Sequence, residues 1–461
     1  MTGFSAPLST LVKVLNAEIA PALEKTLVDC TIRGITTDTR TVSPGELFVA
    51  LEGERFDGHH FVTQAIEKGV IAAVVHKDAV HKDAIQNNTT RGELPLLTVE
   101  NTLSAYQSLG RWWRQQCGIP VIAITGSVGK TTTKELLAAA LGQFGSVLKT
   151  RANFNNEIGV PKTLLELTTD HDYAVVEMGM RGLEEISVLT RIAEPTVGLI
   201  TNVGTAHIGR LGSRAAIAQA KCELLRELPA EGTAVLNHDD ARLMRTAAKF
   251  WSGKQITYGF ESGDVCGEQV GNCVMVDGLQ IPLPLPGRHN ALNLLSVIAT
   301  LQALNLNWRK LAQGFTVAMP AGRSQFHKLP NDILLLDETY NAGAEAMVAA
   351  LQLLSEQTAK RRIAVLGTMK ELGEQSVALH HQIGEAVAQK GIDYLLILAD
   401  PDEATAMAEG AAHVPNEKFE SHAAVVARLQ ALMEAGDRIL FKASRSVEMD
   451  KVVEQLLRQS Q

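Results

Sequence analysis

The sequence predicts an α/β protein of about three domains, with a central parallel sheet wound on both faces and a second α/β unit after it. Three observations carry this. The 461 residues are too many for one hydrophobic core, at roughly 150 residues per domain. From Ile119 onward, short apolar runs alternate with helical patterns, and a second such series follows Gly322. A glycine-bearing turn, ITGSVGKTTTKE, joins the first of these runs to a helix-like stretch.

Composition narrows the function classes. Against 43 Lys+Arg stand 51 Asp+Glu, a formal charge of −8, and 46% of the chain is hydrophobic. No long Lys/Arg block appears, which argues against nucleic-acid binding or an anionic membrane surface and leaves small anions handled locally. Cys30, Cys117, Cys222, Cys266 and Cys273 form no C-x-x-C pair and read as reduced thiols of a cytoplasmic protein. The first twenty residues lack a basic segment followed by a long apolar run, and no later apolar stretch reaches about 18 residues. The expectation is no export signal and no membrane insertion.

In chain order, the first hundred residues hold strand-like runs at Glu46–Leu51 and Ile71–Val75 and end in the polar loop QNNTTRGE. A doubling, HKDAV then HKDAI from His76 to Ile85, reads as a solvated helix face. Next come the strands IPVIAITG, DYAVVEMG, VGLITNVG and GTAVLN, with the helix KTTTKELLAAALGQF after the first. Such alternation puts ligands at the carboxyl ends of the strands. Gly253–Pro286 reads as an irregular β-like stretch between the two series. Beyond it, DILLLDETYN, RIAVLGTMKELG, YLLILAD and DRILFKASR form the second α/β unit, which has no phosphate loop of its own. Joints near Gly118 and Met319 divide the chain into 1–118, 119–318 and 319–461.

The turn TGSVGKTTT, from Thr125, Gly126, Ser127, Val128 and Gly129 through Lys130, Thr131 and Thr132, is placed to hold a nucleotide triphosphate. Backbone N–H groups from Ser127 to Lys130 and the positive helix end suit phosphate oxygens, Lys130 adds a point charge, and Thr131 is placed for Mg²⁺. The spacing is G-x-x-G-K-T, with Ile124 where the longer phosphate-loop pattern has its first glycine. On later strand ends and the helix that follows lie Glu177, His207 and Lys221. A carboxylate suits Mg²⁺. A lone histidine near glycine-rich loops is ordinarily structural, and a lone helix lysine ordinarily solvated.

Several separated motifs in one order change that reading. TDTRTVSPGELFVALEGERFDGHHF, TGSVGKTTTKE, NFNNEIGVPKTLL, GRHNALN, DETYNAG, LGTMKELGE and KASRSVEMD together resemble the Mur ligase family, ATP-dependent amide-bond formers of peptidoglycan synthesis, from about Ile35 to the end. The nearest resemblance is to members that join D-alanyl-D-alanine to UDP-N-acetylmuramoyl-tripeptide through an acyl phosphate. The resemblance implies a three-domain architecture: an N-terminal domain for the UDP-muramoyl peptide, a central ATPase domain, and a C-terminal Rossmann-like domain that takes the dipeptide and closes on ATP. It also implies two Mg²⁺ ions, with Glu177, His207 and a CO₂-derived carbamate on Lys221 holding the second. Asn290 would contact adenine with His289 beside it, Arg323 would reach the γ-phosphate, and Tyr340 and Asn341 would line the nucleotide. Thr39, Arg40, Asn155 and Asn156 would meet the UDP-muramoyl peptide. Lys442 and Arg445, with the loop Met369–Gly373, are candidates for the dipeptide.

Two departures from the family pattern stand out. Asp337 is followed by Glu338 where the family usually has a second aspartate, so either acid is a candidate for the ribose. KASR replaces the common K-G-S-R, putting Ala443 where a glycine is usual. The alternatives are a ligase adding the third peptide residue, a folylpolyglutamate synthase, and a non-catalytic ATP-gated binding module. The first usually carries D-N-P-R in its third domain, which is missing here, and the second lacks the TDTRTVSPGELF stretch. The family prior is a monomer.

Overall fold

The computed structural model describes residues 3–19, 29–53, 56–81 and 94–459. Three main sheets follow one another along the chain. The first, five-stranded, orders Glu18–Ile19, Leu96–Val99, Ala72–His76, Leu47–Val49 and Ile35–Thr36. The first copy of the sequence doubling lies mostly in a short 3-10 helix, Lys77–His81; most of the second copy, and the QNNTTRGE loop, fall outside the described residues.

Helix Thr102–Cys117 leads to the second sheet. Asn101 starts it by accepting from Ser104 N at 2.8 Å, and Gly118 ends it in the left-handed region at φ 63°. Its far side is fastened to the central unit, with Trp113 Nε1 donating to Leu167 O at 3.0 Å and Arg114 Nε to Ala193 O at 3.0 Å.

The central sheet has nine strands, ordered Val147–Lys149, Tyr173–Glu177, Val121–Thr125, Val197–Ile200, Thr233–Asn237, Lys254–Gly259, Val265–Val270, Cys273–Val276 and Leu279–Pro282. Pairing is parallel up to Val265–Val270 and antiparallel beyond. Gly253–Pro286, expected as an irregular stretch between the two series, therefore continues the central sheet. Its first strand pairs with Thr233–Asn237 over five residues, a contact local patterning does not report. The two strands that follow Val121–Thr125 in the chain, Val147–Lys149 and Tyr173–Glu177, lie on one side of it and the next, Val197–Ile200, on the other, so a crevice opens at its carboxyl end. The strands are buried on both faces: Ile122 and Ile124 go to one core, Val121 and Ala123 to the other. That is why they read as unbroken apolar runs.

The third sheet orders Gln325–Leu329, Ile333–Asp337, Asp437–Lys442, Arg361–Gly367, Tyr394–Leu398 and Asn416–Lys418, parallel except for its first hairpin. Register puts Asp337 opposite Phe441, so the DETYN and KASR segments leave the sheet side by side.

Candidate active site

The phosphate loop begins where strand Val121–Thr125 ends. Gly126 has φ 153°, and a Cβ there would lie 1.9 Å from Thr201 Oγ1; Gly129 has φ 85° and precedes helix Lys130–Leu141. Both positions need glycine for conformation, and Gly126 also for space. Gly126→Ala is expected to cost about 1–3 kcal/mol of unfolding free energy by urea titration.

The loop's hydrogen bonds correct one expectation. Ser127 N donates to Asn202 O at 3.1 Å and Val128 N to Asn202 Oδ1 at 3.0 Å. These amides are already satisfied. The donors facing outward are those from Gly129 to Thr132, which meet no acceptor among the described residues and open a helix whose dipole favours an anion. Lys130 folds back on the loop, its Nζ donating to Gly126 O at 2.7 Å and Ser127 O at 3.3 Å. Burial lowers its ammonium pKa, and the charge of Arg323 adds to the effect. The Thr125 hydroxyl is buried without a partner.

Glu177, at the end of the neighbouring strand, accepts from Thr131 Oγ1 at 2.9 Å and from Asn155 Nδ2 at 2.8 Å. Lys134, one turn along the phosphate-loop helix, lies 3.8 Å away and donates to Thr150 O. Lys221 is 1% exposed, and its amine has no hydrogen-bond or ion-pair partner among the described residues. Burial, then the charge of Lys130, drive its pKa well below the usual lysine range. His207 begins the short helix Ile208–Leu211 with φ 66°, and its Nδ1 lies 2.6 Å from Glu371 Oε2. Burial, only partly offset by that carboxylate, lowers the imidazole, which also feels Lys130 and Lys221. Glu177, Lys130, Lys221 and His207 thus share one electrostatic neighbourhood. No three His, Cys, Asp or Glu side chains among the described residues converge as a ready-made metal site.

The C-terminal unit faces this cluster. The Arg323 guanidinium lies over the Tyr340 ring at 3.9 Å, and its buried Nε has no partner. Lys442 Nζ donates to Asn341 O at 3.1 Å and Glu338 O at 3.3 Å; burial lowers its pKa, as does Arg323. Asp337 accepts from Thr339 N and Oγ1, whereas Glu338 accepts from Ser324 N and Oγ. Asn290 is buried, bonded to Pro286 O and approached by Asn293 at 3.4 Å, and burial with the charge of Lys442 pushes His289 down to about 4.

Other expected site residues have partners of their own. The Thr39 hydroxyl is turned inward to Gln64 at 2.9 Å, and Arg40 extends into solvent, paired with Asp38. Asn156 is occupied at its Oδ1 by Gly159 N. Arg445 pairs with Asp450 at 2.7 Å while Lys442 points to the Glu338–Asn341 backbone, so the two cations have separate partners. Asn202 and Lys134 are site residues the sequence reading does not name, Asn202 carrying a local signal by its place just past a strand end; Glu371 lies in the loop Met369–Gly373 expected to meet the dipeptide, and its contact with His207 is not foreseen.

Comparison with known proteins gives this arrangement a family. The Mur ligase catalytic domain matches residues 31–109, the Mur ligase middle domain 124–301, and the Mur ligase glutamate ligase domain 322–445. A UDP-N-acetylmuramoyl-tripeptide--D-alanyl-D-alanine ligase of Synechocystis sp. is 53% identical over 430 residues, 93% of each chain. The chain belongs to the Mur ligase family. Among solved Mur ligases, MurF from Acinetobacter baumannii superposes with a TM-score of 0.87 at 30% identity, covering 99% of this chain and 100% of that one. Thermotoga maritima MurF in complex with ADP matches with a TM-score of 0.81 at 27% identity, over 92% and 97% of the two chains. Within this Mur ligase, the departure at Ala443 is accommodated: the residue is fully buried, facing Gly367, on which a Cβ would lie 2.7 Å from the Ala443 methyl.

Proposed function

We propose that this Mur ligase joins D-alanyl-D-alanine to UDP-N-acetylmuramoyl-tripeptide with hydrolysis of ATP to ADP and phosphate. The observation that carries the proposal is the meeting of Lys130 and Arg323, from the central and C-terminal units, beside the acidic end of strand Tyr173–Glu177. The tripeptide carboxylate oxygen attacks the γ-phosphorus as the bond to ADP breaks, giving an acyl phosphate. The dipeptide amine then attacks the acyl carbon, the C–N bond forms, phosphate departs, and the amine gives up a proton. Two anions must approach each other first, so neutralisation and positioning are the enzyme's main contributions.

The residues fit that task. The amides from Gly129 to Thr132 and the Lys130 ammonium hold phosphate oxygens, and the unpartnered Nε of Arg323 is free to donate to the terminal phosphate. Asn290 and His289 lie toward the base, Asp337 or Glu338 toward the ribose, and Asn155, bonded to Glu177, toward the tripeptide end. Magnesium, when bound, supplies positive charge between the triphosphate and the incoming carboxylate. Thr131 suits one ion; Glu177, His207 and Lys221 suit a second, provided Lys221 carries a carboxylate. A neutral, unpaired, buried amine is the form that adds CO₂, forming an N–C bond and releasing a proton.

No helix among the described residues is long and apolar enough to cross a membrane. The three units 1–118, 119–318 and 319–461 act as UDP-peptide reader, ATPase and dipeptide-binding closing unit. Closure rotates about Met319–Gly322. The two units touch away from that joint, where Gly209 N donates to Glu371 O at 3.0 Å. Small-angle scattering is expected to show a larger radius of gyration for the free protein than with ATP analogue plus UDP-peptide; equal values count against rotation.

The function is tested by phosphate release with ATP, Mg²⁺ and UDP-N-acetylmuramoyl-tripeptide, comparing D-alanyl-D-alanine with a single diamino acid. Release that requires the dipeptide and yields the pentapeptide supports the proposal. An inert dipeptide beside a working amine overturns the acceptor, and no substrate-dependent release at all leaves only a binding module.

A further inference from the structure

The segment Gly204–Arg210, which carries His207, is gripped from the C-terminal unit by two carboxylates. Glu345 accepts from Thr205 N at 2.8 Å and Thr205 Oγ1 at 2.9 Å. Glu371 approaches His207 Nδ1 to 2.6 Å with one oxygen and Arg210 to 3.4 Å with the other, while its carbonyl takes the Gly209 N–H. Contact this close needs glycine on both sides. A Cβ on Gly209 would lie 2.5 Å from Gly373 N, and one on Gly373 would lie 2.8 Å from Gly209 Cα.

His207 and Glu371 also have matching backbone conformations, φ 66° and 65°, a region non-glycine residues seldom occupy unless their surroundings hold them there. The loop bearing Glu371 is supported from beneath. Buried His380 accepts from Met369 N at 2.9 Å through Nε2, and its Nδ1 lies 2.7 Å from Ser376 O. His380 Nδ1 therefore carries the proton and donates it to the Ser376 carbonyl, and the ring is neutral.

We propose that Glu371 is the positioning residue for His207: its carboxylate oxygen lies 2.6 Å from Nδ1, which has no well-aligned hydrogen-bond partner among the described residues, so its charge holds the ring proton on Nδ1 and leaves the Nε2 lone pair free for a divalent cation. A ligating imidazole is commonly oriented by such a carboxylate, and loss of that support weakens metal binding about 10–100-fold. Here the support comes from the other side of a domain joint, so the metal site draws part of its order from the unit that receives the dipeptide. This reassigns Met369–Gly373: a loop whose carboxylate is turned to His207 repels a dipeptide carboxylate and is a coupling element. The inference rests on His207 being a metal ligand.

The test is Mn²⁺ binding to the full chain, followed by the electron paramagnetic resonance signal of free Mn²⁺, with ADP and bicarbonate present. Wild type, Glu371→Ala and Glu371→Gln are compared. The alanine variant is expected to bind about 10–100-fold more weakly, and the glutamine variant, whose side-chain oxygen still accepts from Nδ1, to recover most of the loss. Glu371 is partly solvent-exposed, so both variants should unfold at the wild-type temperature, which separates positioning from folding. Wild-type affinity in the alanine variant overturns the inference, as does a glutamine variant no better than alanine. If wild type binds no Mn²⁺ beyond what ADP holds, the metal role of His207 falls and the inference with it. Dipeptide-dependent phosphate release by wild type tests the ligase reading separately.

Discussion

Lys221→Ala will lower kcat by on the order of 10² or more, and added formate or acetate will restore a measurable part of it. A lysine buried to 1% exposure with no acceptor in reach is a poor structural choice, because its charged form is desolvated and lies in the field of Lys130. The same surroundings favour the neutral, nucleophilic amine, and a carbamate on it turns a repelled cation into an anion attracted by Lys130. Lys221→Arg should be as inactive as the alanine variant, since a guanidinium stays charged and adds no CO₂. The check is steady-state phosphate release with and without the small carboxylate. Full activity in Lys221→Ala would remove the carbamate role.

Lys130→Met will lose about 10²–10³-fold in kcat while the ligand-free protein unfolds at no lower a temperature than wild type. Activity falls because the charge nearest the phosphate amides is gone. Stability holds because the charge removed is buried at a cost that the attraction of Glu177, itself set against the repulsion of Arg323, only partly offsets, and methionine keeps most of the side chain's packing. Wild type should also gain more from ATP analogue in calorimetry than the variant does, since ligand stabilisation follows affinity. A fall in ligand-free unfolding temperature would mean that the bonds from Lys130 Nζ to Gly126 O and Ser127 O chiefly hold the loop together.

What was legible in the sequence was local. The α/β alternation, the phosphate loop and the helix beginning at Lys130 depend on residues close in the chain, and the dispersed motifs pointed to the family that the comparisons show. What escaped depends on partners far away. Gly253–Pro286 has little pattern of its own, and only pairing with Thr233–Asn237 makes it part of the central sheet. Asn202 takes two phosphate-loop amides from across a strand boundary, and Glu371 finds His207 across 164 residues, a spacing no motif encodes. Thr39, Asn156 and Arg445 were named from motif membership, and each has a neighbour that takes up its side chain.

The bonds between Asn202 and the phosphate loop bear on when the phosphate site comes into being. A loop held only by its ligand must be ordered at each encounter, and part of the binding energy is spent on that. Here the loop takes its shape from the strand beside it, so the ordering happens once, as the central sheet folds. The nucleotide then meets a finished receptor, and damage at Asn202 would appear first as a defect of folding and only afterwards as a defect of affinity.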